Sequence, residues 1–156
     1  MIEDSKKLIE TLIPKECHFN VSIKKEEKFI MGNETQLHQV IINLIKNSVN
    51  AISESEKKEI NLCVFKGLRK EGVVVIKVSD TGCGMTEEIV ENIFTPFYTK
   101  KLSKKSTGLG LYVAEEIITR HGGTIEVSSE VGRGSEFTLE FPSIIKSNEN
   151  NKNDKV

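Results

Sequence analysis

The stretch VVVIKVSDTGCGMT, residues 73–86, decides how the chain is to be read. VVVIKV is apolar on both faces of an extended chain, which predicts a strand central in a sheet. Asp80 stands where that strand meets a loop, and the loop carries Gly82 and Gly84 on either side of Cys83. Glycine admits φ > 0 and lets another group approach the main chain, so something is expected to pack against this backbone. A carboxylate only accepts hydrogen bonds. If Asp80 is buried it needs donors, and an exocyclic amine such as N6 of adenine would supply one. The same residues also read as a tight turn capped by Asp80. Thr86 begins a short helix, with Glu87 and Glu88 favouring its N-terminal dipole.

Upstream, INLCVF (60–65) predicts a strand that pairs with GVVVIKVSD (72–80) as a hairpin across KGLRKE. Before it, residues 34–52 predict the clearest helix: Leu37, Val40, Ile41, Leu44, Ile45, Ser48 and Ile52 recur at three and four as one buried stripe. Asn43, Asn47 and Asn50 share a face that flanks this stripe. An asparagine oxygen such as that of Asn47 can ligate Mg²⁺, a hard cation that takes oxygen ligands along with waters and phosphate. Equally, these asparagines can tie the helix to a neighbouring loop. Earlier still come a helix over 2–13 ended by Pro14, a strand Cys17–Ile23, and a short strand FIM broken by Gly32 and Asn33.

Downstream, FTPFYTKKLSKKSTGLG (94–110) has no helical or strand period, and a loop of this length is functional or disordered. Its end, TGLGL (107–111), is a second glycine pair opening a helix, and exposed N–H groups at a helix start bind phosphate. The alternative there is a flexible hinge with Thr107 as the helix cap. Lys100, Lys101, Lys104 and Lys105 add charge near phosphates or form a solvated basic run; Lys100 is the first to test. The helix LYVAEEIITRHGG stops at Gly122 and Gly123, and TIEVSS and SEFTLEF form a last hairpin across EVGRG. The element order predicts an α/β two-layer sandwich: a mixed, mostly antiparallel sheet of about five strands, covered on one face by about three helices.

The totals narrow the function classes. The chain has 156 residues, enough for one domain with a real core, and a net charge of −1 that gives no reason to expect nucleic acid or an anionic membrane. No apolar run approaches the roughly 20 residues that span a bilayer. Cys17, Cys63 and Cys83 are odd in number and far apart, which fits a reducing cytoplasm rather than a disulfide framework. Residues 1–14 read as the end of a preceding helix or linker, 15–144 as the domain, and 145–156 as a disordered polar tail.

Taken together the motifs resemble a known family. QLHQVIINLIKNSVNAI resembles the N box, DTGCG the G1 box, IFTPFYTKK the F box and TGLGL the G2 box of the ATP-binding domain of bacterial sensor histidine kinases, in that order. HGGTIEVSSEVGRGSEFTLEFP resembles its closing helix-and-hairpin segment, so the likeness runs from about residue 17 to 142. The resemblance implies the Bergerat sandwich, shared with gyrase-type ATPases and MutL, with a mobile lid over the nucleotide. It implies Asn47 as the Mg²⁺ ligand with Asn43 beside it on the nucleotide face, and Asp80 as reader of the adenine amine. Gly82 and Gly84 are then the G1 glycines. Phe94 and Phe97 stand at the lid hinge, and Thr107, Gly108, Leu109 and Gly110 lie next to the phosphates. Ser106 departs from the pattern, standing where many members have the first G2 glycine.

The implied function is binding of Mg-ATP and transfer of its γ-phosphoryl group to a histidine. That histidine belongs to a separate dimerisation and phosphotransfer domain, from which a response regulator is served. The implied setting is the cytoplasm, with the parent kinase's membrane attachment left open. His18, His38 and His121 lie in no sequence like H-E-[LI]-[RK]-[TN]-P, so the acceptor histidine is expected outside this chain. The alternatives are a stand-alone ATPase switch of the gyrase type and an anti-sigma-like serine kinase. Gyrase-type enzymes carry a glutamate base four residues before the metal-binding asparagine. Asn43 holds that position here, and an amide cannot take the proton.

Overall fold

The structure, a computed structural model, describes residues 9–24, 29–67, 72–99 and 107–144. Lys100, Lys101, Lys104, Lys105 and Ser106 lie outside the described residues. So do the KGLRKE turn from 68 to 71, residues 1–8 and the tail from 145 on. Residues 9–12 are helical, and the chain then runs through β1 (His18–Ile23), β2 (Phe29–Ile30), α1 (Glu34–Ala51), β3 (Glu59–Lys66) and β4 (Val73–Asp80). It continues through α2 (Glu87–Asn92), α3 (Gly110–Arg120), β5 (Thr124–Glu130) and β6 (Gly134–Ile144). Among the described residues six strands form one sheet in the order β1-β3-β4-β6-β2, with β5 also on β6. Only β1 and β3 run parallel, with α1 in the connection between them. The other pairs are antiparallel.

Strand β4 is central, as its two-faced apolarity requires. On the covered face Val74, Ile76 and Val78 meet Phe141, Leu139 and Phe137 of β6, and Ile76 and Val78 meet Val64 and Leu62 of β3. The opposite face is mixed: Val75 is buried there opposite Phe65, while Asn61 lies beside Ser79 and Lys77 pairs with Glu136 at 2.6 Å. Against the apolar face lie Leu37, Val40, Ile41, Leu44 and Ile45 of α1 and Ala114, Ile117 and Ile118 of α3, all buried. Each such side chain contributes about 1.5–3 kcal/mol when fully removed from water.

Helix α1 starts where Asn33 accepts the Gln36 N–H at 3.1 Å, and ends with the Ile52 N–H on Ser48 O. Its start is pinned to the end of α3. The Asn33 N–H donates to Nε2 of His121 at 3.0 Å, and Nδ1 of the same ring lies 2.7 Å from the Ile117 carbonyl. These partners require a neutral imidazole with its proton on Nδ1. A Cβ at Gly32 would overlap that ring. His121→Ala is therefore expected to lower stability by about 1–2 kcal/mol, the worth of the two hydrogen bonds its ring makes, read as a lower urea midpoint at unchanged slope.

Candidate functional site

The end of β4 delivers Asp80 into the interior, only 7% exposed. Oδ1 accepts the Gly82 N–H at 2.9 Å, and Oδ2 accepts the Ser48 hydroxyl of α1, also at 2.9 Å. The Ser135 N–H of β6 is a third donor. Burial pushes the Asp80 carboxyl above its usual range, and the bonds from Gly82, Ser48 and Ser135 offset part of that rise. The Gly82 bond is the turn-capping geometry that the sequence also allowed. It does not account for the other two donors. A carboxylate has about four acceptor positions, so three internal donors leave room for one more.

The loop after Asp80 is held from both sides. On one side the Cys83 N–H donates to Ala51 O at 3.1 Å, and Gly82 passes so close that a Cβ would stand 2.6 Å from Cβ of Ala51. On the other, the Gly132 N–H donates to Cys83 O at 2.8 Å and the Met85 N–H to Oγ of Ser129 at 2.9 Å. Gly84 has φ +65°, and a Cβ there would overlap the Glu130 carbonyl. The β5–β6 turn is thus part of the site's wall, and Oγ of Ser129 ties it further to Gly134 O at 2.9 Å.

The second glycine pair meets α1 through Asn43, whose Nδ2 donates to Gly110 O at 3.1 Å. Here the tying role that the sequence left open for an asparagine is real. Within six residues α1 contacts Gly110 through Asn43 and Asp80 through Ser48. Asn47 lies inside that span, half-buried, and its amide bonds none of the described residues. An oxygen so placed fits a cation that brings phosphate oxygens with it. Asn50, at the end of the same face, is exposed.

Helix α3 begins at Gly110 with Leu109 as its cap and no side-chain capping bond, so Thr107 is not the cap. Its first N–H groups have no intrahelical acceptor. Before it, the Phe97 N–H donates to Gly108 O at 3.0 Å, and a Cβ at Gly108 would stand 2.5 Å from the Phe97 backbone. The two ends of the 98–107 stretch therefore meet. Phe97 is 72% exposed and holds φ 65°, unusual for a residue with a side chain, whereas Phe94 packs against the core. Thr86 caps α2 by position only, without a side-chain bond.

Two residues of the site were not singled out for it by sequence reasoning. Ser48 had counted as one more member of the buried stripe. Ser135 had counted as a strand residue. The available signal was a hydroxyl on an otherwise apolar stripe, which needs a partner once buried. A cleft of about 710 Å³ opens on the outer side of the loop, lined by Asn50, Thr81, Gly82, Cys83 and Arg133 among others, but Asp80, Asn47 and Gly110 do not line it.

Comparison with known proteins agrees with this fold. The chain is 42% identical over 129 residues to sporulation kinase D of Bacillus subtilis (strain 168), covering 80% of this chain and 24% of that protein. It is 37% identical over 113 residues to the sensor histidine kinase ZraS of Escherichia coli (strain K12), covering 72% of this chain and 23% of that one. The chain thus spans about a quarter of the length of each. Among solved structures, the catalytic domain of histidine kinase ThkA superposes with a TM-score of 0.69 at 28% identity, over 88% of this chain and 84% of that one. The mycobacterial sensor histidine kinase MprB shares the fold, with a TM-score of 0.76 at 17% identity and 91% coverage of both chains. Residues 32–145 match the family described as Histidine kinase-, DNA gyrase B-, and HSP90-like ATPase. With its buried carboxylate, paired glycine loops and open two-layer sandwich, the chain belongs to that family of ATPases.

Proposed function

We propose that this chain is the ATP-binding, phosphoryl-donating domain of a cytoplasmic histidine kinase. It binds Mg-ATP and passes the γ-phosphoryl group to a histidine on a separate dimerisation domain, which in turn serves a response regulator. The observation that carries the reading is Asp80, buried at the end of the central strand with three internal donors and one acceptor position left. That position suits the adenine amine.

The other residues take roles by place. Asn47 would hold the magnesium, with Asn43 keeping α1 and the start of α3 in register beside it. When bound, magnesium neutralises charge on the phosphates during transfer. Gly108 and Gly110, with Thr107 and Leu109, bring the open N–H groups of α3 toward the phosphates. Gly82 and Gly84 hold the Asp80 loop in shape. Phe94 anchors the near end of the lid in the core, and Phe97 closes its neck on Gly108. Lys100, outside the described residues, is assigned to the phosphates by sequence position alone. The protein's part in such a reaction is orientation and charge, because phosphoryl transfer asks little covalent chemistry of it. A water-activating ATPase is the weaker reading: Asn43 is an amide whose nitrogen is held on Gly110 O, and it offers no base.

The test is titration of the chain and of Asn47→Ala with a non-hydrolysable ATP analogue, with and without Mg²⁺. The unsubstituted chain should gain affinity from Mg²⁺, and the variant should lose that gain, a drop of roughly tenfold or more for one charge-assisted contact. Equal affinities for both proteins under both conditions would remove Asn47 from the metal. Mixing with the matching helical hairpin and ATP should then label a histidine of the hairpin.

A further inference from the structure

We propose that Ser48 is a positioning residue for nucleobase recognition. Its hydroxyl, donated to Oδ2 of Asp80, holds the carboxylate as a pure acceptor and so sets the preference for a 6-amino over a 6-oxo purine. This rests on Asp80 reading the base, as proposed above.

Ser48 is 1% exposed, among the apolar side chains of α1 that face the sheet. A small apolar residue would fill that place without the penalty of burying a hydroxyl. What the hydroxyl does instead is reach across to Asp80 at 2.9 Å. The groups acting on the carboxylate from the surrounding elements are Ser48 from α1, Gly82 from the loop and Ser135 from β6. The β3 residue paired with Asp80 is Ile60. Among the described residues no charged group acts on the carboxylate, so burial against three neutral donors sets the direction of its pKa shift.

The protonation state matters because the two forms read opposite bases. Ionised, Asp80 only accepts, and it pairs with an amine while facing a 6-oxo group acceptor to acceptor. Protonated, it gains an O–H donor and can satisfy a 6-oxo group. Burial raises the carboxyl and the Ser48 bond works against that rise. The selective, ionised form is present above the folded-state value and is lost as pH falls through it. Removing the hydroxyl raises that value further, so selectivity should begin to fail at a higher pH.

The experiment measures affinities for ATP and for inosine triphosphate, whose base carries a 6-oxo group, from about pH 5 to 8. The proteins are the unsubstituted chain, Ser48→Ala and Asp80→Asn, each checked for a cooperative melt. Ser48→Ala should lower the ATP-to-ITP affinity ratio about tenfold or more at neutral pH, the worth of one lost hydrogen bond to a charged group. Its loss of selectivity on acidification should also set in at higher pH than in the unsubstituted chain. A purely packing role for Ser48 would leave that pH profile in place. If Ser48→Ala keeps both ratio and profile while Asp80→Asn loses the ratio, the role of Ser48 is overturned and the reading of Asp80 stands. If Asp80→Asn also keeps the ratio, Asp80 does not read the base and both fall.

Discussion

Asp80→Asn is expected to weaken ATP binding and, in the same protein, to raise the melting temperature without nucleotide. The binding loss follows from exchanging a charged acceptor, worth about 1.5–3 kcal/mol, for a neutral one, which is roughly a ten- to hundredfold drop in affinity. The stability gain follows from the direction of the Asp80 titration. Its folded-state pKa is raised by burial. Its stabilising contribution is therefore fully present below the unfolded value of about 3.9, and is lost as pH rises through the folded value. Above that unfolded value the native chain holds in its interior a carboxyl group that an unfolded chain would leave charged in water. Asparagine removes it and keeps two of its three neighbours bonded. Its oxygen can keep the Gly82 N–H, and the Ser48 hydroxyl can turn to accept from the new amide. Each kcal/mol recovered is worth about 2–4 °C in a chain of this size. Saturating nucleotide should invert the order, because ligand at a hundred times Kd adds about 2.7 kcal/mol to a protein that binds it. Calorimetric melts with and without an ATP analogue would show the crossing. A variant that melts lower than the native chain without nucleotide would mean that the three donors outweigh the cost of burial.

That opposition between binding and stability explains what could be read in the sequence and what could not. The stripe of α1 and the two-faced apolarity of β4 were legible because burial follows period, and period is local. The partner of Ser48 lies 32 residues away, on the strand beneath the helix, and no period reports it. Asn43 was legible as a polar residue beside the core. That its amide lies on Gly110 depends on how α1 and α3 pack. The start of α3 was legible to within one residue, since LYVAEEIITR begins at Leu111 and the helix at Gly110; the alternative of Thr107 as its cap fails because Phe97 closes on Gly108 first. The glycines were the least decidable of all. A glycine kept for positive φ, one kept for close packing and one kept for a ligand look identical in a sequence. In the fold they separate.

Gly84→Ala and Gly110→Ala should therefore fail in different ways. At Gly84 the backbone holds φ +65°, and a Cβ would overlap the Glu130 carbonyl. A left-handed residue with a side chain costs about 1–2 kcal/mol, and the overlap forces either the loop or the β5–β6 turn aside. The Gly132 bond to Cys83 and the Met85 bond to Ser129 are the first to suffer. The total should reach about 3 kcal/mol or more, seen as a melting temperature lowered by roughly 6–12 °C. At Gly110 a Cβ meets only Cγ of Asn43 at 3.8 Å and its Nδ2 at 4.0 Å, which is ordinary contact. Alanine is also the better helix former by up to about 1 kcal/mol, so this variant should melt at or slightly above the native temperature. Among the described residues nothing requires glycine at position 110. If the residue is there for a ligand, a methyl group beside the open N–H groups of α3 should obstruct the phosphates and lower ATP-analogue affinity about tenfold or more, with the fold intact. Native affinity in Gly110→Ala would place the phosphates elsewhere, whatever Gly84→Ala does to the fold.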